Sequence, residues 1–282
     1  MIINKEEGII VLILKNCTKS FKKTKALNDF SCEFKHGIYG LLGPNGSGKT
    51  TMMRCICGLL SPEKGSIECD CENIGYLPQQ FGAMKSLTVY ETMRYFATLK
   101  KIPKSNQDNE IRYCIALVNL SDKIKNKVGS LSGGMVRRLG IAQAIMGNPE
   151  IVLFDEPTAG LDPEERVRFK SLLRKIKNDK TIIISTHIVS DVKSICDEIV
   201  IINEGRNVVQ GTCSDITSIG NEKVFLLDEE YENNLEGNYY VKDRISKDNK
   251  NYIIVLSSNF IEQGVSINAD IEDGYLCALK DI

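Results

Sequence analysis

The chain is 282 residues long, with 36 Lys and Arg against 37 Asp and Glu, a net charge of −1 and 42% hydrophobic residues. That length suits one large domain, or a main domain with a small companion, and its core needs no covalent staples. The balanced charge gives no overall field to draw nucleic acid, so none is expected as a partner, and no apolar run nears the ~20 residues that span a bilayer, so a soluble chain is expected.

The N-terminus, Met1 to Glu7, is charged ahead of its apolar run, so no secretory leader is expected. Residues 9–14 and 30–34 read as strands, with Lys19 to Lys25 as a basic turn that carries Phe21. The apolar segment 38–42 then reads as a buried strand. It runs into Gly43-Pro44-Asn45-Gly46-Ser47-Gly48-Lys49-Thr50, which fits the phosphate-loop spacing G-x-x-x-x-G-K-[S/T] without a mismatch. Behind it Met52, Met53, Ile56, Leu59 and Leu60 recur at helical spacing, so the loop joins a strand to a helix N-terminus. Gly43, Gly46 and Gly48 let the backbone curl its N–H groups inward, where they and the helix dipole form a nest for phosphates. Lys49 can reach the β- and γ-phosphates, the Thr50 hydroxyl can ligate a bridging Mg²⁺, and Thr51 is a weaker candidate.

Residues 61–65 form a turn, Ile67 sits in a short strand, and a second strand over 74–77 ends at Pro78-Gln79-Gln80. Residues 88 to 147 read as mostly helix, an insertion within an α/β chain. Within it, Ser132 is a natural N-cap, and Gly133 and Gly134 leave N–H groups bare at the start of a helix, a second anion-binding end. The continuous run Ile151 to Phe154 is expected of a strand covered on both faces, and it stops at Asp155-Glu156. Two carboxylates thus stand at a strand's C-terminal edge, where open α/β sheets place ligands. Asp162-Pro163-Glu164-Glu165 opens a helix, and the strand 181–184 ends in Ser185-Thr186-His187. Residues 199–202 and 208–209 read as a hairpin closing the sheet. Beyond Gly220, short alternating segments and a final helical spacing of Ile271, Tyr275 and Leu279 read as a small α+β appendage.

The ten cysteines lack the paired C-x-x-C spacing of a zinc site and are expected as reduced thiols, mostly small buried hydrophobes.

Taken in order, Gly43 to Thr50, Gln79, Leu131-Ser132-Gly133-Gly134-Met135, Phe154 to Glu156, Gly160-Leu161-Asp162 and His187 resemble the nucleotide-binding domain of ATP-binding-cassette (ABC) proteins over roughly residues 10 to 215. The resemblance implies an α/β fold: a P-loop NTPase core with a mostly parallel sheet, an antiparallel β subdomain and a helical subdomain over about 88–147. The division would be an ATPase domain over 1–220 and an accessory region over 221–282. It also implies roles. Phe21 looks like the aromatic that stacks on adenine, and Gln79 like the glutamine that contacts Mg²⁺ and the lytic water. Ser132, Gly133 and Gly134 look like the signature that grips the γ-phosphate bound by the opposite subunit. Asp155 looks like the Mg²⁺ carboxylate, Glu156 the general base, Asp162 the residue signalling across the dimer and His187 the γ-phosphate sensor. The family's usual glutamine after the signature glycines is Met135 here, which removes a polar contact and leaves the serine and N–H groups.

Taken singly these residues also fit duller roles: Asp155 and Glu156 as strand-end acids capping a helix, His187 as an exposed turn residue, Phe21 as core. At the level of function, the resemblance implies the ATP-hydrolysing subunit of an export-type ABC transporter. It would be cytoplasmic, peripheral on the inner face of the cell membrane, docked on a membrane permease and paired in an ATP-dependent homodimer or a heterodimer with a second cassette. The alternative is a non-transport ABC ATPase of translation or DNA repair.

Overall fold

The computed structural model describes residues 10–71, 73–248 and 250–282, so Ile9 and the charged start lie outside the described residues. The strands β1 (Ile10–Phe21) and β2 (Thr24–Lys35) pair antiparallel, with only Lys22 and Lys23 between them. The basic stretch expected as a turn is therefore mostly strand. Its lysines lie along a sheet with one wet face, so hydropathy alone shortens both strands, while Leu27, Phe30, Cys32 and Phe34 turn inward. β3 (Gly37–Leu42) leads into the phosphate loop and α1 (Lys49–Ile56). β4 (Lys64–Cys69) returns to β1 and completes a three-stranded sheet ordered β2-β1-β4, and β5 (Ile74–Leu77) follows. Cys69, which ends β4 opposite Leu12 of β1, and Cys71 are bonded to each other. That corrects the expectation of reduced thiols for this pair, and the other eight cysteines are free.

α2 (Val89–Leu99), α3 (Lys104–Leu117) and α4 (Gly133–Ile145) form the helical block. Thr88 and Glu91 close a capping box at the start of α2, and Met93, Ala97, Ile111, Cys114, Ile115 and Leu139 meet in its interior. The chain then alternates through β6 (Ile151–Asp155), α5 (Pro163–Ile176), β7 (Thr181–Thr186), α6 (Val189–Lys193), β8 (Glu198–Asn203) and β9 (Arg206–Gly211).

These strands build a six-stranded sheet ordered β5-β6-β7-β3-β8-β9, parallel except where β9 pairs with β8. Both faces are covered. Val152, Phe154, Ile182 and Ile184 pack with the helical block and with Phe169 and Leu173 of α5, while Ile151, Leu153 and Ile183 pack with Met52 and Met53 of α1 and the antiparallel sheet. That two-sided burial is why these strands read as unbroken apolar runs. In the register Leu42 pairs with Thr186 and Asp155 with Ser185, so β3, β6 and β7 end together at one edge.

After the short α7 (Cys213–Ser218), β10 (Val224–Asp228), β11 (Tyr239–Lys247), β12 (Lys250–Ser257) and β13 (Val265–Ser266) form a third sheet ordered β11-β12-β10-β13. It has its own core of Phe225, Leu227, Ile253, Val255 and Ile261. The last helix, α8 (Ile271–Lys280), turns back: Ile271 and Tyr275 pack with Leu42, Ile199, Ile201 and Ile216.

Candidate active site

The loop after β3 passes through Gly46 (φ +82°) and Gly48 (φ +114°), conformations that side chains resist. At Gly48 a Cβ would also lie 2.3 Å from the Ala26 carbonyl oxygen, so only glycine fits. No side chain among the described residues caps α1, which leaves its first N–H groups to the cleft above it. Lys49 Nζ donates to the carbonyls of Gly43 (2.7 Å) and Pro44 (2.9 Å), which hold the ammonium back along the loop. Burial lowers the Lys49 pKa, while Glu156 and Asp155 act to keep the amine charged. Ser47 is buried beside Gly43, and its hydroxyl has no partner among the described residues.

Asp155 closes β6 with its carboxylate wholly buried. One oxygen accepts from Thr50 Oγ1 (2.8 Å) and the other from Ser185 Oγ (2.6 Å), so α1 and β7 fix it from two sides. The Ser185 hydroxyl in turn accepts the Glu156 N–H at 3.0 Å. Glu156 stands in the left-handed region at φ +51°, and its Oε1 lies 3.1 Å from His187 Nδ1. A hydroxyl and a fixed carboxylate are hard oxygen donors beside a phosphate nest, a set that fits Mg²⁺ when the nucleotide's own oxygens complete it.

A cleft of ≈ 450 Å³ opens over these groups, lined by Ala26, Asn45, Gly46, Gly48, Lys49, Thr50, Thr51, Gln79 and Glu156. The structure thus gathers the phosphate loop, Gln79, Asp155, Glu156 and His187, which the sequence scatters. Other candidates stand apart. Phe21 ends β1 with its ring 46% exposed and Lys19 Nζ 6.0 Å from the ring centre, outside the cleft lining. Ser132 caps α4 by accepting from Met135 N at 3.3 Å; among the described residues outside the helix's own turn, nothing lies within 4 Å of a Cβ on Gly133, and only Leu161, at 3.7 Å, of one on Gly134. Asp162 caps α5 through Glu165 N at 2.8 Å.

Sequence reasoning missed Ser185, Ala26 and Arg137. Ser185 carried a signal, a hydroxyl directly after the buried run 182–184. Ala26 lies just beyond the basic stretch that reads as a turn, and no spacing along the chain marks Arg137.

A phosphate loop, a buried carboxylate bound to the loop's threonine and a strand-end glutamate against a histidine, all at the C-terminal edge of a parallel sheet, define an ATP-binding P-loop cassette. A family model described as ABC transporter matches residues 27–159. The uncharacterized ABC transporter ATP-binding protein YxlF of Bacillus subtilis is 30% identical over 92% of this chain and 90% of its own length. Nod factor export ATP-binding protein I of Burkholderia lata is 34% identical over 70% of this chain and 69% of itself. The methionine import ATP-binding protein MetN of Mannheimia succiniciproducens is 35% identical over 73% and 66%. Among solved structures, the dimeric post-hydrolysis state of the cassette MJ0796 bound to ADP and Pi superposes with a TM-score of 0.65 at 26% identity, covering 71% of this chain and 98% of that one. The chain belongs to the ABC transporter ATP-binding proteins: it is an ATP-binding subunit and an ATPase by class. Among the described residues no helix is long and apolar enough to cross a membrane.

Proposed function

We propose that this subunit hydrolyses Mg·ATP to power transport, in the export direction, through a separate membrane permease on whose cytoplasmic face it docks. The observation that carries the reading is the Glu156 carboxylate, held against His187 at the rim of a cleft floored by Lys49 and the Thr50–Asp155 pair. γ-Phosphate hydrolysis involves little covalent chemistry for the protein, so positioning and charge do most of the work. The loop N–H groups and Lys49 take the phosphates, moving the ammonium off the Gly43 and Pro44 carbonyls. Thr50, Asp155 and Gln79 would hold Mg²⁺, which would neutralise charge on the phosphate oxygens when bound. Glu156 accepts the proton of an in-line water, and His187, 3.1 Å from that carboxylate, steadies it and senses the γ-phosphate. Phe21 stacks on the adenine.

The remaining donors come from a second cassette, identical or related. The open end of α4 at Ser132, Gly133 and Gly134 grips the γ-phosphate bound by the partner, and Asp162 beside it signals across the junction. ATP then joins two subunits and hydrolysis releases them. The export direction is supported by the run Tyr76-Leu77-Pro78-Gln79 and the ending Ile271-Glu272-Asp273-Gly274-Tyr275-Leu276, which resemble export-type ATPases, and by the Nod factor export relative. The import relative stands against it. Reconstitution in vesicles with a permease decides between the two.

The direct test of the chemistry is Glu156→Gln, which keeps shape and removes the base. Turnover should fall by ~10²–10⁴-fold, while ATP still binds and traps a dimer on size exclusion. Turnover within about twofold of wild type would remove Glu156 from the mechanism.

A further inference from the structure

Two arginines follow the signature on α4, and they reach in opposite directions. Arg138 donates to the carbonyls of Val118 and Asn119 at the end of α3 and pairs with Glu165 of α5 at 3.1 Å. Arg137 reaches the cleft side instead, and its acceptors are all main-chain carbonyls. Nη1 donates to Pro78 and Gln79, both at 2.9 Å, Nη2 donates to Asp155 and to Glu156 (2.7 Å), and Nε donates to Pro157 (3.3 Å). A guanidinium has five N–H donors in a planar fork, and all five are matched here. Lysine, with three donors on one nitrogen, cannot reproduce that pattern.

The two segments gathered by this one side chain carry two of the residues that line the cleft outside the phosphate loop, Gln79 and Glu156. Glu156 moreover sits at φ +51°, which an L residue holds only when its surroundings impose it. Its N–H is tied to Ser185 and its carbonyl to Arg137, so both flanking peptide groups are pinned. Arg137 also lies on the same helix as Ser132, five residues further along α4.

We propose that Arg137 is the positioning residue of this ATPase: it sets the backbone of Gln79 and Glu156 against the phosphate loop, and so ties the signature helix of a subunit to that subunit's own cleft. A tilt of α4, when its open end engages a partner's nucleotide, would move the glutamine and the glutamate together. The inference rests on the reading of Glu156 as the base.

The test uses the full chain carrying Arg137→Lys and Arg137→Ala. ATP affinity should stay within about threefold of wild type while turnover falls ~10–100-fold, since small misplacement of a catalytic group costs that much. Added guanidinium ion should restore part of the turnover of Arg137→Ala, and none of that of Glu156→Gln. Hydrogen exchange in the absence of nucleotide should quicken at residues 78–82 and 155–159 in Arg137→Lys but not in Glu156→Gln. If Arg137→Ala does not fold, Arg137→Lys carries the kinetic and exchange readouts. Turnover within twofold of wild type, or unchanged exchange at both segments, would overturn the proposal. An active Glu156→Gln with quickened exchange in Arg137→Lys would instead defeat the base assignment and leave Arg137 as the clamp.

Discussion

The strand-end cleft and the signature end of α4 are built to opposite specifications. In the cleft, one chain already partners its own charged side chains: Asp155 has two hydroxyl donors, Glu156 has His187 with its N–H on Ser185, and Lys49 has two carbonyls. At the signature end Ser132 only caps its own helix, and the space beyond Gly133 is open. The difference teaches where specificity for the transition state is kept. The half whose helix start sits among a lysine and fixed carboxylates is built to bind nucleotide by itself, whereas a helix start with open space beyond it acts only when something anionic is brought to it.

The sharpest way to break that contrast is Gly133→Asp. The position has room, and a carboxylate at a helix start steadies the helix, so the fold should not suffer. Repulsion of an incoming phosphate should nevertheless lower turnover by ~10²–10³-fold, the scale of losing an oxyanion donor, with ATP affinity of the single chain unchanged. Steady-state ATPase rates and calorimetry read both, and a loss of ATP affinity would mean that the signature end serves its own chain's nucleotide.

Lys49→Ala attacks the other half. A cation bound to phosphate is worth ~1.5–3 kcal/mol, so affinity by calorimetry should drop ~10–100-fold. Unchanged affinity would contradict the phosphate-loop assignment.

Phe21→Ala should matter less, because its ring lies outside the cleft lining and is half exposed. The low end of base–aromatic stacking, about 1 kcal/mol, would weaken adenine and guanine nucleotides alike by about fivefold. No change at all would leave Phe21 as a surface residue beside Lys19.

The smallest effect on nucleotide is expected from cutting the chain near residue 220, since every group of the cleft precedes it. We propose residues 221–282 as an accessory region that binds no nucleotide yet helps hold the cassette. The cut would strip Ile271 and Tyr275 from Leu42, Ile199 and Ile201. Burial of such side chains is worth ~1.5–3 kcal/mol each, so the melting temperature should fall by roughly 5–20 °C. MgATP should still raise it. A truncated chain with no ATP-dependent rise would make α8 an essential part of the nucleotide-binding unit.

Much of this was legible in the sequence because local rules carried it. The phosphate loop needs its glycines wherever it occurs. Asp162-Pro163 and Ser132 announce helix starts that form at those residues. Runs such as Ile151 to Phe154 mark strands buried on both faces. The β1–β2 hairpin was misjudged because Lys22 and Lys23 make a tighter turn than the surrounding lysines suggest. The cleft's supporting bonds were hidden for a different reason. Arg137, Ser185 and Ala26 act through carbonyls and close approaches that only the strand register brings together, and no spacing along the chain records which carbonyl a guanidinium will meet.

The central claim, that a working site joins the cleft of one subunit to the signature end of another, is tested most directly by mixing two inactive variants. Lys49→Ala chains lack the cleft half and Gly133→Asp chains the signature half. A mixed homodimer holds one site with both defects and one with neither, so combining equal amounts should restore about a quarter of wild-type ATPase activity. No recovery, or a Gly133→Asp chain that hydrolyses ATP at the wild-type rate alone, would contradict it.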